Sequence, residues 1–154
     1  MTFDQWSGES TFQNMSGLEV LGAMVHGDIP PPPMAAVIPF RIHAFSAGEV
    51  EIRAAMEERF GNLFGMAFGG WPMSLLDYAM GFAAVSMLPA GEICPSVECA
   101  VKFVRPIRAT SGEIRATGRV QSCGRSVIHV QGSLEDGAGK LYSLGTSTCL
   151  RTAI

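Results

Sequence analysis

A long apolar run, from Leu63 to Gly91, most constrains what this chain can fold into. Asp77 is its only charged residue, and the other residues are mostly apolar or small. A helix of this composition must be covered on most sides, either by lipid or by protein. A lone carboxylate there is costly to bury, because desolvation disfavours its charged form and no counter-ion lies nearby in the sequence. The position of Asp77 therefore requires an explanation.

A membrane span is one way to cover such a run, and its length exceeds the roughly 18 residues that a span needs. Pro72 and the central ionisable residue Asp77 argue against a span, and no Lys or Arg directly adjoins either end of the run. Strand patterns that belong in water follow the run. We therefore predict no membrane span and expect a central helix surrounded by protein on nearly every side.

The segments before this helix predict a short capped helix and a hairpin. Ser16 and Glu19 form a capping box that begins a helix ending near Gly27. The run "PPPP", residues 30–33, is an extended connector. The turn "SAGE" is flanked by two strand-like segments, Val37 to Ala44 and Val50 to Met56. Together they predict a first hairpin.

Four alternating segments after the central helix predict a meander of long strands. They are "SVECAVKFV", "EIRATGRVQ", "SVIHVQGSLE" and "KLYSLGTSTCL". In the first of these, we expect one face to carry Val97, Cys99, Val101 and Phe103. Such a sheet can bury one face only if the helix covers it. The sequence therefore predicts an α+β fold, with a long central helix wrapped by a curved antiparallel sheet of five to six strands.

We expect one domain, residues 34–154, preceded by residues 1–33 as a tail with the short helix and the Pro-rich connector. Charged residues make up only 16% of the chain, against about 25% in typical domains, which indicates that some surface is covered by another chain. The net charge of −3 argues against a nucleic-acid partner.

The cysteines and the first residues of the chain indicate the cellular compartment of the protein. Cys94, Cys99, Cys123 and Cys149 form no C-x-x-C pair and have no His at metal-ligand spacing, so we predict free thiols and no metal site. The N-terminal residues include an acidic residue where a signal peptide needs a basic region, and no apolar segment follows it. Both observations favour the reducing cytoplasm.

The ordered motifs of the chain resemble those of one enzyme family. The pieces are "LPAGE", "VKFVRP", "GR", the final "LYSLGTSTCL" and the spaced set Asn62, Phe68, Gly69, Gly70 and Asp77. Together they resemble the hotdog-fold thioesterases of the phenylacetate-degradation (PaaI-like) type, over about residues 17–150. The resemblance implies hydrolysis of acyl-CoA, including aryl-acyl-CoA, to the free acid and CoA. It also implies a homodimer joined edge to edge, often a dimer of dimers, with no cofactor because coenzyme A is part of the substrate.

The resemblance assigns catalytic roles to four positions. Asp77 matches the catalytic carboxylate, as nucleophile or as general base, and burial would favour the base role. The Gly69 backbone N–H, at the helix N-terminus, matches the donor that polarises the thioester carbonyl. Asn62 matches an amide that binds the carbonyl or the attacking water, and Ser96 a hydroxyl that holds the water. Structural alternatives stay open: a capped Asp, a turn-forming Asn and an exposed strand Ser.

The resemblance also implies that five further positions lie near the substrate. Phe68, Gly70 and Gly81 belong to or follow the motif, although the glycines could equally serve close packing. Arg105 and Arg125 are candidates for the phosphates of coenzyme A, with solvated surface arginines as the alternative.

One departure keeps a second function open. The family has His-Gly-Gly where this chain has Phe68-Gly69-Gly70, so a polar group beside the donor is lost. A non-catalytic or weakly active protein that binds acyl-CoA or aromatic acids is therefore the alternative. A dehydratase is disfavoured, because no His occurs between His43 and His129.

Helix geometry also predicts a site shared between two chains. Gly69 and Asp77 are eight residues apart, about 12 Å along a helix axis, whereas both must lie about 3 Å from one carbonyl group. Two antiparallel copies of the helix, related by a two-fold axis, would bring the two groups together.

Overall fold

The structure is a computed structural model that describes residues 8–154. The helices are α1 (Gly8–Asn14), α2 (Gly17–His26) and α3 (Gly70–Val85). Single 3-10 turns occur at Pro33–Ala36, Glu58–Phe60 and Ala109–Ser111. The strands are β1 (Arg41–Ser46), β2 (Glu49–Ala55), β3 (Glu92–Ile93), β4 (Ser96–Phe103), β5 (Glu113–Cys123), β6 (Val127–Asp136), β7 (Leu141–Leu150) and β8 (Thr152–Ala153).

The predicted capping box is confirmed at the start of α2. The Ser16 hydroxyl accepts a hydrogen bond from the Glu19 backbone N–H, and the Glu19 carboxylate accepts one from the Ser16 backbone N–H. This carboxylate is fully exposed, and its bonds to Ser16 hold its pKa below the ordinary value. Gly27 ends the helix in the left-handed region, at a φ of 83°. Leu21 of α2 is fully buried in the same core as α3.

Six strands form one antiparallel sheet in the order β1-β2-β5-β6-β7-β4, and β3 pairs with β8 in a second, two-stranded sheet. Helix α3 packs on one face of the large sheet, chiefly against β5 and β6. Buried residues of α3 and of the inward-facing strand positions form one core. The predicted α+β arrangement of a central helix wrapped by a curved antiparallel sheet is confirmed.

A row of three glycines lets α3 approach the sheet closely. Gly118, Gly132 and Gly145 are paired with one another across β5, β6 and β7. A Cβ atom at Gly118 would lie 2.5 Å from the carbonyl carbon of Ala79 and 2.8 Å from the Cα of Met80, which are helix backbone atoms. The backbone of α3 therefore rests directly on β5.

Three expectations from the sequence are corrected. The first strand begins at Arg41 and runs to Ser46, because residues 33–36 form a 3-10 turn and Pro39 has no N–H to donate to a ladder. The predicted meander of four strands holds for β5, β6 and β7 but is wrong for β4, which pairs with β7 and not with β5, because residues 104–112 carry the chain from the sheet edge back to β5 in its middle. Helix α3 is not surrounded on every side, since Met73 and Asp77 lie on an open face. Within residues 8–154, none of the helices has the length and hydropathy that crossing a membrane requires.

Candidate active site

Two open grooves lie near opposite ends of the edge strand β4. The first, which we call the Asp77 groove, is lined by Met73, Ser74, Asp77, Ser96, Val97, Glu98 and Cys99. The second, which we call the helix-start groove, has Asn62, Gly69, Phe103 and Arg105 at its rim, and its buried floor is formed by Pro72, Ile107 and Ser143. Both grooves contain residues that the sequence singled out.

Asp77 lies on the open face of α3 and contacts the start of β4. The Ser96 hydroxyl donates a hydrogen bond of 3.2 Å to the Asp77 carboxylate. Asp77 is exposed in the single chain, so the burial that the apolar run implied is wrong for this side chain. Its charge still acts on its neighbours. Burial, and then the Asp77 charge, raise the pKa of the Tyr78 hydroxyl and of the Cys99 thiol.

Two backbone N–H groups are open at the start of α3. Gly69 directly precedes the helix with φ −57° and ψ −28°, and Gly70 is its first residue. Among residues 8–154, neither N–H has a hydrogen-bond acceptor. The Phe103 ring packs against Gly69, and a Cβ atom there would lie 3.4 Å from the ring. A helix N-terminus with free N–H groups attracts negative charge, so this position can stabilise an oxyanion.

Asn62 organises the loop that precedes α3. Its side-chain oxygen accepts hydrogen bonds from the backbone N–H groups of Phe64, at 2.9 Å, and Met66, at 3.2 Å. The Asn62 oxygen therefore serves the turn, as the structural alternative proposed. Its side-chain NH₂ group has no acceptor in the described part of the chain, and Asn62 is among the residues that line the helix-start groove. Asn62 can thus hold the loop and donate to a ligand at the same time.

Three further motif positions surround these groups. The Phe68 side chain is 61% exposed, and its ring covers Gly70, where a Cβ atom would overlap the ring. Gly81 lies one turn after Asp77, and a Cβ atom there would meet nothing within 4 Å. The helix surface beside Asp77 is therefore open at Gly81.

The two candidate arginines occupy different places. Arg105 lines the helix-start groove, and its guanidinium donates a 2.7 Å hydrogen bond to the Leu141 carbonyl. Arg125 lies in the exposed turn between β5 and β6, at the sheet end that also holds Ser96, and it lines neither groove.

The single chain does not bring all candidate groups together. Ser96 and Asp77 meet at one end of β4, whereas Asn62 and Gly69 line the groove at its other end. A carbonyl group bound by Gly69 would therefore lie far from Asp77 of the same chain. As for metals, residues 8–154 contain no cluster of three or more His, Cys, Asp or Glu side chains that could hold an ion.

Two residues were missed by the sequence analysis, one that holds the loop before α3 and one that lines the helix-start groove. Arg108 donates to the carbonyl oxygens of Phe64 and Gly65, at 3.5 and 3.1 Å, and so fixes the Asn62 loop. Ser143, a buried residue of β7, is among the residues that line the helix-start groove. The alternation of β7 carries a signal for Ser143, because its inward positions are the small residues Ser143, Gly145, Ser147 and Cys149.

Residues 64–143 match a family model described as the thioesterase superfamily. No curated protein sequence matches the chain significantly. Among solved structures, a phenylacetic acid degradation-related protein from Ralstonia eutropha JMP134 is 30% identical, with a TM-score of 0.78. That match covers 84% of this chain and 98% of the other.

Two further structures share the fold at lower identity. The PaaI protein from the phenylacetic acid degradation operon of E. coli is 20% identical, with a TM-score of 0.77, over 88% of this chain and 95% of its own. A Streptococcus mutans UA159 protein bound to acetyl-CoA is 20% identical, with a TM-score of 0.68, over 74% of this chain and 89% of its own. These likenesses confirm the hotdog architecture.

Proposed function

Because this chain belongs to the thioesterase superfamily and is a thioester hydrolase, we propose that it hydrolyses acyl-CoA, including aryl-acyl-CoA, to the free acid and CoA. The similarity to a structure bound to acetyl-CoA and to proteins of phenylacetic acid degradation supports this substrate class. The observation that carries the proposal is the division of the candidate groups between two grooves at opposite ends of β4.

The edge strand β4 supports a homodimer in which these grooves meet. Its free edge carries the exposed apolar side chains of Val97 and Phe103, and Leu63, Phe64 and Phe68 of the loop before α3 are also exposed. Exposed apolar side chains beside a free strand edge usually mark an interface. Antiparallel pairing of two β4 strands about a two-fold axis sets Ser96 of one chain near Phe103 of the other. The Asp77 groove of each chain then adjoins the helix-start groove of its partner.

Each shared site then contains a complete set of groups. The Gly69 N–H and the Asn62 amide of one chain hold the thioester carbonyl oxygen. Asp77 of the other chain, with Ser96 beside it, takes a proton from the attacking water, or attacks the carbonyl carbon itself. Collapse of the tetrahedral intermediate breaks the carbon–sulfur bond. When Asp77 acts as the base, it returns the proton taken from water to the departing CoA thiolate. When Asp77 acts as the nucleophile, departure of the thiolate leaves a mixed anhydride on Asp77. Water then hydrolyses that anhydride to the acid and the free Asp77 carboxylate, and the released proton goes to the thiolate.

Other parts of the chain support the same proposal. Arg105 and Arg125 provide positive charge for the phosphates of coenzyme A, and Gly81 and Phe68 lie beside the acyl path. We propose no cofactor, because water and the substrate supply all the atoms of the reaction. The four free cysteines favour a reducing cytoplasm. Association into a dimer of dimers is part of the proposal, by analogy with the family.

A non-catalytic or weakly active acyl-CoA binding protein is the second candidate, and Phe68 is the observation that favours it. Phe68 replaces the motif His, and its ring covers the start of α3. Such a protein would bind acyl-CoA tightly and release no thiol. Hydrolysis and binding therefore have to be measured together.

The test compares the wild-type protein with Asp77→Asn in a thiol-release assay over a panel of aliphatic and aryl acyl-CoAs. Asn keeps the side-chain volume but can act neither as base nor as nucleophile, so we expect the rate to fall about a hundredfold or more. Asp28→Asn is the matched control, because Asp28 is exposed in the turn after α2. Most of the rate surviving in Asp77→Asn, with an unchanged circular dichroism spectrum, would disprove the role of Asp77.

A further inference from the structure

We infer that Glu98 and Lys102 set the register in which two β4 strands pair, with the two-fold axis at Ala100. Each Glu98 then lies directly opposite Lys102 of the partner subunit. This inference rests on the proposed function, because it specifies how the partner is aligned at the shared site. It goes beyond edge-to-edge pairing, which by itself allows several registers.

Two pairs of opposite charges face each other across neighbouring strands on the outer face of the sheet. Glu49 of β2 lies opposite Arg119 of β5, with 2.8 Å between their charged groups. Arg115 of β5 lies opposite Glu135 of β6, with 3.3 Å between theirs. Directly opposed charges of unlike sign stabilise the pairing of two strands, and like charges destabilise it.

Glu98 and Lys102 are the charged residues of β4, and they lack such partners. On β7, Glu98 lies opposite Thr148 and Lys102 lies opposite Leu144, both uncharged. Neither charge forms an ion pair within residues 8–154. The Thr148 hydroxyl donates a 3.4 Å hydrogen bond to the Glu98 carboxylate and so steadies it on the outer face. A strand that supplies the missing charges must therefore pair with the free edge of β4.

The spacing of the two charges selects one register. The regular ladder of β4 begins at Glu98, because a register shift interrupts its pairing with β7 just before that residue. Antiparallel strands keep inward-facing residues opposite inward-facing ones, so the residue on the two-fold axis must lie opposite its own copy. An axis at Ala100 places Glu98 opposite Lys102 of the partner subunit, twice in each dimer. An axis at Cys99 or at Val101 leaves both charges without a directly opposed partner.

This register also joins the two grooves. It places Phe103 of one chain beside Val97 of the partner subunit. Val97 lines the Asp77 groove, and Phe103 lines the helix-start groove, where its ring packs against Gly69. The ion pairs therefore align the oxyanion donor of one chain with the carboxylate of the other. We assign Glu98 and Lys102 the role of positioning residues.

The experiment reverses each charge in turn. Homodimers of Glu98→Lys or of Lys102→Glu oppose like charges at two places, whereas a mixed dimer of the two variants has two unlike pairs. The two variants, one of them isotope-labelled, are unfolded, mixed in equal amounts and refolded, and native mass spectrometry counts the dimers. We expect heterodimers to exceed about four fifths of the dimers, against about half for random association.

The matched control reverses an exposed pair that lies within one chain. Glu49→Lys and Arg119→Glu carry the same changes of net charge on the same face of the sheet. Mixing them restores no pair between chains, so heterodimers should make up about half of the dimers.

A cross-linking measurement locates the axis itself. With the exposed Cys123 replaced by Ser, Ala100→Cys should form an intersubunit disulfide under mild oxidation, because directly opposed Cα atoms are about 5 Å apart. Thr146→Cys, which lies opposite Ala100 on β7, is the control and should form none. The two native Cys99 residues should not react either, since their Cα atoms would be about 7–8 Å apart, too far for a disulfide.

Heterodimers at about half, or cross-linking through Cys99 and not through residue 100, would overturn the inference. The thiol-release assay is a separate measurement on the wild-type protein. Absent hydrolysis with both expected results would disprove only the proposed catalysis. Normal hydrolysis with neither result would disprove only the register.

Discussion

Gly118→Ala tests whether the close contact between α3 and the sheet sets the geometry of the site. The added methyl group would lie 2.5 Å from the Ala79 carbonyl carbon and 2.8 Å from the Met80 Cα. Carbon atoms in contact are ordinarily about 3.5 Å apart, so α3 and β5 must separate by about 1 Å. Both partners are backbone, and no side-chain rotation relieves the overlap. Overpacking typically costs about 1–3 kcal/mol, and we expect this variant to lose about 3 kcal/mol of unfolding free energy.

Two glycine variants serve as controls for this substitution. Gly145→Ala would place its methyl group 3.2 Å from the Met80 Cε, the mobile end of a side chain, and should cost less than about 1 kcal/mol. Gly137→Ala meets nothing within 4 Å and should change the stability by no more than about 0.5 kcal/mol.

Urea unfolding, followed by circular dichroism, gives the unfolding free energy of each variant. A shift of α3 would also move Asp77 away from Ser96, whose hydroxyl lies 3.2 Å from its carboxylate, so the hydrolysis rate should fall as well. If the unfolding free energy of Gly118→Ala lay within about 0.5 kcal/mol of the wild-type value, the contact would not be tight and the reasoning would fail.

Two further predictions concern Phe68, at the position of the motif His, and the buried thiol of Cys94. Phe68→His should raise turnover in the thiol-release assay, because it restores the polar group that the family motif has beside the Gly69 donor. A lower rate with a shifted acyl preference would instead identify the ring as a substrate-binding surface. Burial raises the pKa of Cys94 from an ordinary 9.0 to about 12, so folding favours the neutral thiol. Its stabilising contribution should be complete below about pH 9 and decline as the pH rises toward 12. Urea unfolding at pH 7.5, 9 and 10.5 should show a smaller decline in unfolding free energy for Cys94→Ala than for the wild-type protein. Equal declines in the two proteins would contradict this role of the Cys94 thiol.

Much of the fold could be predicted because each element has a local signature. The capping box at Ser16 and Glu19 sets the start of α2, and the alternation of Ile114, Ala116, Ile128 and Val130 sets the inner face of the sheet. Coverage of one sheet face by the helix follows from their apolar patterns, but the strand order does not, since β4 pairs with β7 where the sequence predicted a meander. These signals are short-range patterns, and a single sequence contains them.

Features that depend on a neighbouring element were not predicted. The glycine row matters only because β5, β6 and β7 pair in a register that aligns Gly118, Gly132 and Gly145 beneath α3. The unpartnered state of Ser143 depends on which groups the tertiary structure brings near it. Asp77 was expected to be buried, because the composition of the run does not reveal that one face of α3 stays open in the single chain.

The site residues themselves came from a spaced motif rather than from periodicity. The family resemblance assigned roles to Asp77 and to Ser96, and the structure brings them into hydrogen-bond contact. Spacing did not reveal that the oxygen of Asn62 is already used by Phe64 and Met66, because that depends on how the loop turns.

The claim that each active site draws on two chains is tested most directly by mixing two inactive variants. Asn62→Asp keeps the oxygen that accepts from the loop but loses the amide donor, and Asp77→Asn loses the carboxylate. The two proteins are unfolded, mixed in equal amounts and refolded together, and native mass spectrometry counts the heterodimers. Half of the dimers should be heterodimers with one intact and one doubly damaged site, so about a quarter of the wild-type activity should return. Confirmed heterodimers without recovered activity would contradict the shared site.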